Sequence, residues 1–336
     1  MKYVLAPLAE FTDAPFRLIC REGGADLTYT EMVSAAALFH GHGPTRHLME
    51  TMPGEGPVVC QIFGAKEDEI AFAAREATQL RSLDGSSPRF CALDLNAGCP
   101  MPRITRAGAG ANLVSDPERV YRLLKAMCDN TNLPVTLKTR LGPHTGDNRI
   151  FELVDAAERA GAKGITVHAR YTSQMHGGPT HLDVLAEVVA RTRLPVTGNG
   201  GIKTVEDARN MAQTGVAAIM VARAALKDPS IFARLKGDEA RVRPAYEWAN
   251  RHLENLLVFR RMLAEKYPGD HVPCEDGYVG IKMHTHLFRY FAGYPGAAAM
   301  RARLNSIRTL DEVRNELRQL CGIDGYGIIP PKPSKM

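Results

Sequence analysis

Residues 92–127 read ALDLNAGCPMPRITRAGAGANLVSDPERVYRLLKAM and contain the unit from which the architecture is built. The run begins with the mostly apolar residues 92–96, passes through a glycine-containing loop, and ends in an amphipathic stretch, 116–127, that opens on Asp116. The apolar run is typical of a parallel strand buried on both faces, and the amphipathic stretch is typical of a capped surface helix. One strand, one loop and one helix therefore form the unit.

The same unit recurs over the first 240 residues. Eight short apolar runs occur at residues 4–7, 27–30, 58–63, 92–96, 135–140, 165–168, 196–198 and 218–221. Because a TIM-type (β/α)8 barrel usually takes about 250 residues, eight alternating strands and helices predict that fold. A doubly wound open sheet is the alternative, but no G-x-G-x-x-G turn follows the first run.

The strand pattern stops after residue 240, and the remainder predicts a small all-α domain. We therefore expect two domains, a catalytic barrel over 1–240 and a helical domain over 241–336. The predicted helices span 244–267, 279–292, 296–304 and 309–320, and a Pro-rich, frayed tail follows them.

The bulk composition is that of a soluble globular protein. Of the 336 residues, 45% are hydrophobic and 24% are charged, which argues against disorder. No apolar run approaches the roughly 20 residues of a membrane span, and the N-terminal run is too short for a signal peptide, so we expect a cytoplasmic protein. Seven scattered cysteines without a C-x-x-C pair argue against a disulfide framework or a metal site. A monomer is compatible with the sequence.

The excess positive charge is confined to the C-terminal part. Residues 241–336 contain 15 lysines and arginines against 10 acidic residues, whereas residues 1–240 contain 27 of each. A segregated basic domain indicates a polyanionic partner, although a solvated helix surface is an equal reading of the charge alone. Surface bases that we expect to contact such a polyanion are Arg251, Lys282, Arg289, Arg301 and Arg303.

Candidate catalytic residues follow the strands, because TIM barrels carry their chemistry at the carboxyl ends of the strands. Cys99 stands between Gly98 and Pro100, just past the fourth run, so a tight loop is expected there. An exposed thiol at a barrel mouth can act as an acid or a nucleophile. The next segment, residues 101–112, is predicted to be a mobile basic loop. The other six cysteines are interpreted as packing residues.

Other strand ends indicate an anionic ligand. Lys138 lies in an apolar strand, which is costly unless an anion such as a reduced flavin, or a barrel carboxylate, lies near it. His168 ends the sixth run and is more often structural than catalytic in such a place. Gly200 and Gly201 after the seventh run, with Arg223 after the eighth, match the phosphate sites of these barrels.

In their order and spacing, these residues resemble the tRNA-dihydrouridine synthase family. The resemblance covers nearly the whole chain, and its core is residues 94–100 followed by residues 108–113. Further matching motifs are Ala6-Pro7-Leu8, Thr30-Glu31-Met32, Gln61, Lys138-Thr139-Arg140, Val167-His168-Ala169-Arg170, Gly198-Asn199-Gly200, and residues 228–232, 293–298 and 301–305.

The resemblance implies an FMN-dependent enzyme that reduces a specific uridine of tRNA to 5,6-dihydrouridine. Reduced FMN would give a hydride to C6 of uracil, Cys99 would supply a proton to C5, and NADPH would re-reduce the flavin. Asn96, Arg140 and Arg170 would place the target uracil. The implied cofactor-binding residues are Pro7, Leu8, Ala9, Gln61, Lys138, His168, Asn199, Gly200, Gly201, Ala222 and Arg223.

Two segments depart from the family's commonest pattern. Ala222-Arg223-Ala224 stands where Gly-Arg-Gly is frequent, but alanine keeps the backbone N–H that a phosphate needs. Residues 171–178 also differ, which concerns the substrate more than the chemistry.

Two rival functions follow from the same residues. One is another FMN barrel acting on a free pyrimidine, as a dihydroorotate dehydrogenase-like enzyme would, but such an enzyme needs no separate basic helical domain. The other is a non-catalytic RNA-binding protein, which would not need Cys99, Lys138, His168 and Asn199 together.

Overall fold

The chain divides into two compact units in a computed structural model that describes residues 1–81, 85, 87–292 and 302–324. The first unit comprises residues 1–21 and 25–222, and the second comprises residues 22–24 and the chain from residue 223 onward. The assignment of residues 1–240 to catalysis and of residues 241–336 to tRNA binding stays a prediction.

Parallel strands of the first unit form one sheet. They are β1 (Lys2–Leu5), β2 (Thr28–Tyr29), β3 (Val33–Ser34), β4 (Val58–Phe63), β5 (Ala92–Ala97), β6 (Val135–Arg140), β7 (Gly164–His168), β8 (Val196–Asn199) and β9 (Ala218–Val221). The strand order is β1-β9-β8-β7-β6-β5-β4-β2, and β3 also pairs with β4. The Leu5 N–H donates to the Leu27 carbonyl at 2.9 Å, so the sheet nearly closes on itself. The predicted TIM-type barrel is confirmed.

The second predicted strand differs from expectation, because two short strands, β2 and β3, take its place. Between them the Thr30 hydroxyl accepts the Gln61 N–H at 3.0 Å and donates to the Glu31 carbonyl at 2.8 Å. A hydroxyl that bonds the backbone locally competes with the strand ladder, and this explains the interruption.

An apolar cluster forms the floor of the barrel interior. It contains Val4, Ala6, Tyr29, Val59, Ala92, Ala218 and Met220. Since side chains alternate along a strand, residues 94 and 96 share the inward face of β5 with Ala92. The polar residues of the mouth therefore stand above an apolar floor.

Helices connect the strands of the first unit. They are α1 (Ala14–Glu22), α2 (Ala35–Phe39), α3 (Gly43–His47), α4 (Glu67–Gln79), α5 (Pro102–Arg106), α6 (Pro117–Cys128), α7 (Ile150–Ala160), α8 (Leu182–Arg191) and α9 (Val205–Ala212). Asp116 caps α6 by accepting the Arg119 N–H at 3.0 Å, and Thr204 forms a capping box with Asp207 at α9. Both helix starts were expected from the sequence.

The described part of the second unit is helical. Its helices are α10 (Arg223–Lys227), α11 (Ile231–Lys236), α12 (Ala245–Lys266), α13 (Glu275–Tyr290) and α14 (Leu310–Asp324). Helix α13 begins four residues earlier than predicted, because Glu275 and Asp276 supply acids to its first turn. Most of the predicted helix over 296–304 and the Pro-rich tail lie outside the described residues.

Two bases expected to contact RNA take part in ion pairs within the second unit. Arg251 pairs with Glu22, and Arg303 holds Glu316 through two hydrogen bonds of 2.7 and 3.0 Å. Arg301 lies outside the described residues. Over the residues that the structure describes, no helix is long and apolar enough to span a bilayer.

Candidate active site at the barrel mouth

Adjacent strands bring the predicted site residues together. Paired positions across the sheet are Asn96 with Lys138, Arg140 with His168, and His168 with Asn199. Since all these strands are parallel, their carboxyl ends meet at one end of the barrel. The structure therefore gathers five residues from four strands. The first and the last of them, Asn96 and Asn199, are more than 100 residues apart in the sequence.

Asn96 holds the loop that carries Cys99. The Asn96 Oδ1 atom accepts the backbone N–H groups of Gly98 at 3.1 Å and of Cys99 at 3.0 Å. We call residues 98–101 the Cys99 loop. The Arg140 Nε–H donates to the Gly98 carbonyl at 2.8 Å, and the Cys99 side chain is half-buried. The thiol thus stands at the mouth on a loop held from two sides.

A short 3-10 helix, Gly110–Ser115, supports the Cys99 loop from behind. The Ala111 N–H donates to the Cys99 carbonyl at 2.8 Å. Gly110 has φ +59°, and a Cβ atom there would lie 2.6 Å from the Cys99 carbonyl oxygen. Glycine is required at this position for both reasons.

Lys138 and Arg140 place positive charge at the mouth. The Lys138 ammonium donates to Asn199 Oδ1 at 3.3 Å, and the Asn199 amide donates to the Met220 carbonyl at 2.9 Å. Burial, with the neighbouring Arg140, lowers the pKa of Lys138 to about 8, and burial lowers the pKa of Arg140 to about 10. Both groups remain mostly protonated at neutral pH, so the mouth favours an anion.

His168 lies among these cations and is neutral. Burial, followed by Lys138 and then by Arg140 and Arg170, lowers the pKa of His168 well below its ordinary value. An Arg170 Nη atom lies 3.2 Å from His168 Nε2. Because a guanidinium only donates, Nε2 accepts and Nδ1 carries the proton.

Arg170 organises the loop after β7. Its Nε and Nη2 atoms donate to the Gly178 carbonyl at 3.1 and 3.0 Å. Gly200 has φ +122°, and a Cβ atom there would lie 2.9 Å from the His168 ring and 3.3 Å from Arg170. Gly201 follows with φ +78°. The Gly200 backbone therefore comes close to His168 and Arg170, and both glycines adopt a backbone conformation that other residues rarely take.

The remaining expected cofactor residues lie as follows. Pro7 and Leu8 follow β1 and are half-buried, whereas Ala9 is exposed. Ala222 packs against the apolar floor. Arg223 is exposed and begins α10 in the second unit.

Gln61 was expected among the cofactor-binding residues, and the structure places it in the barrel interior, where its side chain is fully buried. Its Nε2 donates to Asp94 at 2.8 Å and its Oε1 accepts from Asn96 Nδ2 at 2.8 Å. One N–H of the amide remains for another partner.

Asp94 is a polar residue of the interior that the sequence reasoning did not single out. It is fully buried, and it also accepts from the Thr136 hydroxyl at 2.5 Å. The signal was present, because a charged residue in an apolar strand is costly wherever it stands. The same argument had identified Lys138.

No group of three or more histidines, cysteines or acidic residues in the described ranges is arranged to hold a metal ion.

Known proteins are similar to this chain over most of its length. A profile of the dihydrouridine synthase (Dus) family matches residues 4–322. A probable tRNA-dihydrouridine synthase of Treponema pallidum is 37% identical over 237 residues, which are 68% of each chain. Probable tRNA-dihydrouridine synthase 1 of Synechocystis is 31% identical over 325 residues, 94% of this chain and 84% of the relative. The tRNA-dihydrouridine(16) synthase of Salmonella typhimurium is 35% identical over 254 residues, 72% and 78% of the two chains.

Proposed function

This chain belongs to the dihydrouridine synthase family, and we propose that it reduces one uridine position of tRNA to 5,6-dihydrouridine with FMN. The match over residues 4–322 supports the reaction class, and relatives named as tRNA-dihydrouridine synthases support tRNA as substrate. The observation that carries the proposal is Cys99, which two neighbours hold at a cationic barrel mouth. A tRNA substrate implies a cytoplasmic enzyme.

The residues of the mouth fit FMN. Gly200 and Gly201 both have positive φ, and a Cβ at Gly200 would crowd His168 and Arg170, so the two glycines would let the phosphate approach the backbone. Lys138 and neutral His168 would face the polar edge of the ring, while Pro7, Leu8 and Ala9 would line it. Gln61 has one N–H left for the ring edge, and Asn199, Ala222 and Arg223 complete the binding set. When bound and reduced by NADPH, FMN supplies the hydride for C6 of uracil.

The protein's own chemical step is a proton transfer from Cys99 to C5. Hydride addition at C6 leaves enolate-like charge on the uracil, which an acid must quench. A protonated thiol at the mouth can act as that acid. Asn96 and Arg140 contact the Cys99 loop directly, so the groups that would place the uracil also place the acid. Arg170, which follows β7, would contact the uracil as well.

Positive charge at the mouth would favour the reaction as well as binding. Lys138 and Arg140 are fixed by the fold before any substrate arrives, so they need no reorganisation when negative charge develops. The target base must leave the RNA stack, which costs a few kcal/mol. Contacts between the basic helical unit and the tRNA would offset that cost.

The decisive experiment measures dihydrouridine in tRNA. Total tRNA from cells with and without this gene is digested, the nucleosides are quantified by mass spectrometry, and any lost dihydrouridine is mapped to its position. We expect loss at one position, restored by the wild-type gene and not by Cys99→Ala. Purified protein without bound FMN, or unchanged dihydrouridine in the deletion strain and no reduction of unmodified tRNA in vitro, would contradict the proposal.

A further inference from the structure

A chain of buried hydrogen bonds runs from the barrel interior to the loop of the acid. We propose that Asp94 is a positioning residue that orients the Cys99 loop through the side-chain amides of Gln61 and Asn96. The inference rests on the proposed function, because only that function makes Cys99 the acid. The hydrogen bonds themselves can be tested independently of it.

Three side chains form this chain, which we call the amide relay. The Asp94 carboxylate accepts from Gln61 Nε2 at 2.8 Å. Gln61 Oε1 accepts from Asn96 Nδ2 at 2.8 Å. Asn96 Oδ1 then accepts the N–H groups of Gly98 and Cys99. Each amide donates through its nitrogen to the neighbour on the Asp94 side and accepts through its oxygen from the neighbour on the Cys99 side.

The two ends of the relay impose the same polarity. An ionised carboxylate only accepts hydrogen bonds, and a backbone N–H only donates them. With Asp94 at one end and the Cys99 N–H at the other, only one orientation of each amide satisfies all links. Reversing Gln61 would set its oxygen against the carboxylate of Asp94. The polarity therefore follows from chemistry.

Burial makes this polarity costly to violate. Asp94 and Gln61 are fully buried and Asn96 is 5% exposed, so water does not replace a lost partner. A buried polar group without a partner costs about 1–3 kcal/mol, which is far more than the same group loses at a surface. The relay thus transmits the orientation of one side chain to the next.

The charge of Asp94 is present at neutral pH. Burial raises the pKa of Asp94 to about 6, while hydrogen bonds from Gln61 and Thr136 and the charge of Lys138 oppose that rise. The carboxyl group is therefore mostly ionised at pH 7. This supports its role as the acceptor that begins the relay.

The first test replaces the middle link. Gln61→Glu has nearly the same shape, but once the pH is high enough to ionise both groups it sets a second carboxylate 2.8 Å from Asp94 and provides no donor. We expect the new side chain to turn away, releasing Asn96 and with it the Cys99 N–H. Hydrogen exchange of the Gly98 and Cys99 amides, resolved by residue on the purified full-length protein at pH 8, should accelerate about 10- to 100-fold.

The second test restores a consistent polarity. In the double variant Asp94→Asn, Gln61→Glu, the new amide at position 94 donates to the new carboxylate, which still accepts from Asn96. Net interior charge equals that of the wild type. We expect exchange of the Cys99 amide to return to within about threefold of the wild-type rate, an outcome that loss of packing does not produce.

A parallel pair of variants tests the other link. Asn96→Asp leaves Gln61 between two carboxylates, and Asp94→Asn should relieve that conflict as well. The new carboxylate at position 96 still accepts the Cys99 N–H, so exchange of that amide would not report the conflict. The midpoint of thermal unfolding is therefore measured instead. If either single variant fails to fold, recovery of soluble protein in its double variant is the corresponding readout.

Thr136→Val is the matched control. It removes the other hydrogen bond to Asp94 and leaves both amides in place, so the Cys99 amide should exchange within about twofold of wild type. Unchanged exchange in Gln61→Glu, or double variants as impaired as the single ones, would overturn the relay.

Neither readout needs tRNA, and wild type and variants are compared at equal flavin content because Gln61 also belongs to the proposed FMN-binding set. A wild-type protein that forms no dihydrouridine would refute the proposed function and leave the relay standing. Normal uridine reduction by the wild type, with no recovery in the double variants, would refute the relay and leave the proposed function standing.

Discussion

Cys99 carries the proposed chemistry, and at the scale of single residues its surroundings explain why this cysteine differs from the others. It is half-buried on a loop at the mouth, whereas Cys20 and Cys60 are fully buried. Burial raises the pKa of Cys60 to about 12. Such a thiol is inert, so the interpretation as a packing residue fits Cys60. Cys91 and Cys274 are exposed, so the same interpretation is wrong for these two residues.

Cys99→Ala should bind FMN and allow NADPH to reduce it, yet reduce uridine about 10²- to 10⁴-fold more slowly, since the acid is missing. Single-turnover oxidation of the reduced flavin by tRNA measures the loss. Cys91→Ala is the control, because the Cys91 thiol is accessible but comes just before β5, at the end of the strand opposite to Cys99. Equal rates for Cys99→Ala and wild type would refute the assignment of the proton donor.

Asp94 should give the barrel a pH-dependent stability. Its pKa of about 6 lies above the value near 3.9 of an unfolded chain, so the folded state favours the protonated acid. That stabilisation is complete below about pH 4 and is lost as the pH rises through about 6.

Asp94→Asn cannot ionise and should escape this loss. We expect its free energy of unfolding, relative to wild type, to increase between pH 4 and pH 7. Urea titrations at four pH values measure it. Thr136→Val removes a hydrogen bond that lowers the pKa of Asp94, so it should keep the pH dependence and steepen it. A difference that does not change with pH would mean that Asp94 is not perturbed by burial.

At the scale of elements, the Cys99 loop and the 3-10 helix behind it fit each other closely. Gly110→Ala would meet the Cys99 carbonyl at 2.6 Å and the Ile104 side chain at 2.8 Å, in addition to its unfavourable φ. We expect a loss of about 1–3 kcal/mol of stability together with slower uridine reduction.

Gly146→Ala is the matched control for that variant, because Gly146 also has a positive φ but has open space around it. It should lose about 1 kcal/mol of stability and keep its activity. The comparison uses denaturant titration and the rate of tRNA reduction. Equal activity losses in the two variants would show that contact with Cys99 is irrelevant.

Helices α12 and α13 enclose two histidines in the second unit. His252 and His286 are fully buried, and their ring centroids lie 4.3 Å apart. Burial, followed by His252, lowers the pKa of His286 well below its ordinary value. The folded state keeps this ring neutral, whereas the unfolded chain takes up a proton as the pH falls below about 6.5. The free energy of unfolding should therefore be highest above that pH and fall below it.

The fluorescence of Trp248 reports this loss, since it is the chain's one tryptophan and lies on α12. We expect the unfolding midpoint to fall between pH 7 and pH 5, and to fall less in His286→Phe. His271→Gln, at an exposed site, should follow the wild type. A wild-type midpoint that is constant over this range would contradict the neutral ring.

At the scale of the whole molecule, charge is divided between the two parts of the sequence. The net charge of +5 resides in residues 241–336, and tRNA binding through that part should weaken with salt as counterions are released. Arg261→Glu with Arg318→Glu reverses two exposed bases of the second unit.

This double reversal should weaken tRNA binding and lower the slope of log Kd against log salt by about 1–2. Lys203→Glu, an exposed base of the first unit, is the control. Titrations of the full-length protein at 50–300 mM salt measure both. An unchanged slope in the double variant would place the RNA elsewhere.

Much of this architecture can be predicted from local sequence patterns. Apolar runs such as 135–140 and the capped stretch 116–127 mark strand and helix within a few residues of their observed bounds. Strand order in a parallel barrel then follows the chain, so residues at successive strand ends, such as Lys138 and His168, are expected to meet. The spacing of apolar residues and the order of strands along the chain are local properties, so they can be predicted from the sequence alone.

The amide relay is different in kind, because it depends on contacts between distant residues. Gln61 lies 33 residues from Asp94 and 35 from Asn96, and nothing in the local pattern says which end of each amide faces which neighbour. The interruption by Thr30 and the neutral state of His168 are of the same kind. Hydrogen-bond direction and desolvation depend on three-dimensional neighbours, so only the folded chain sets them.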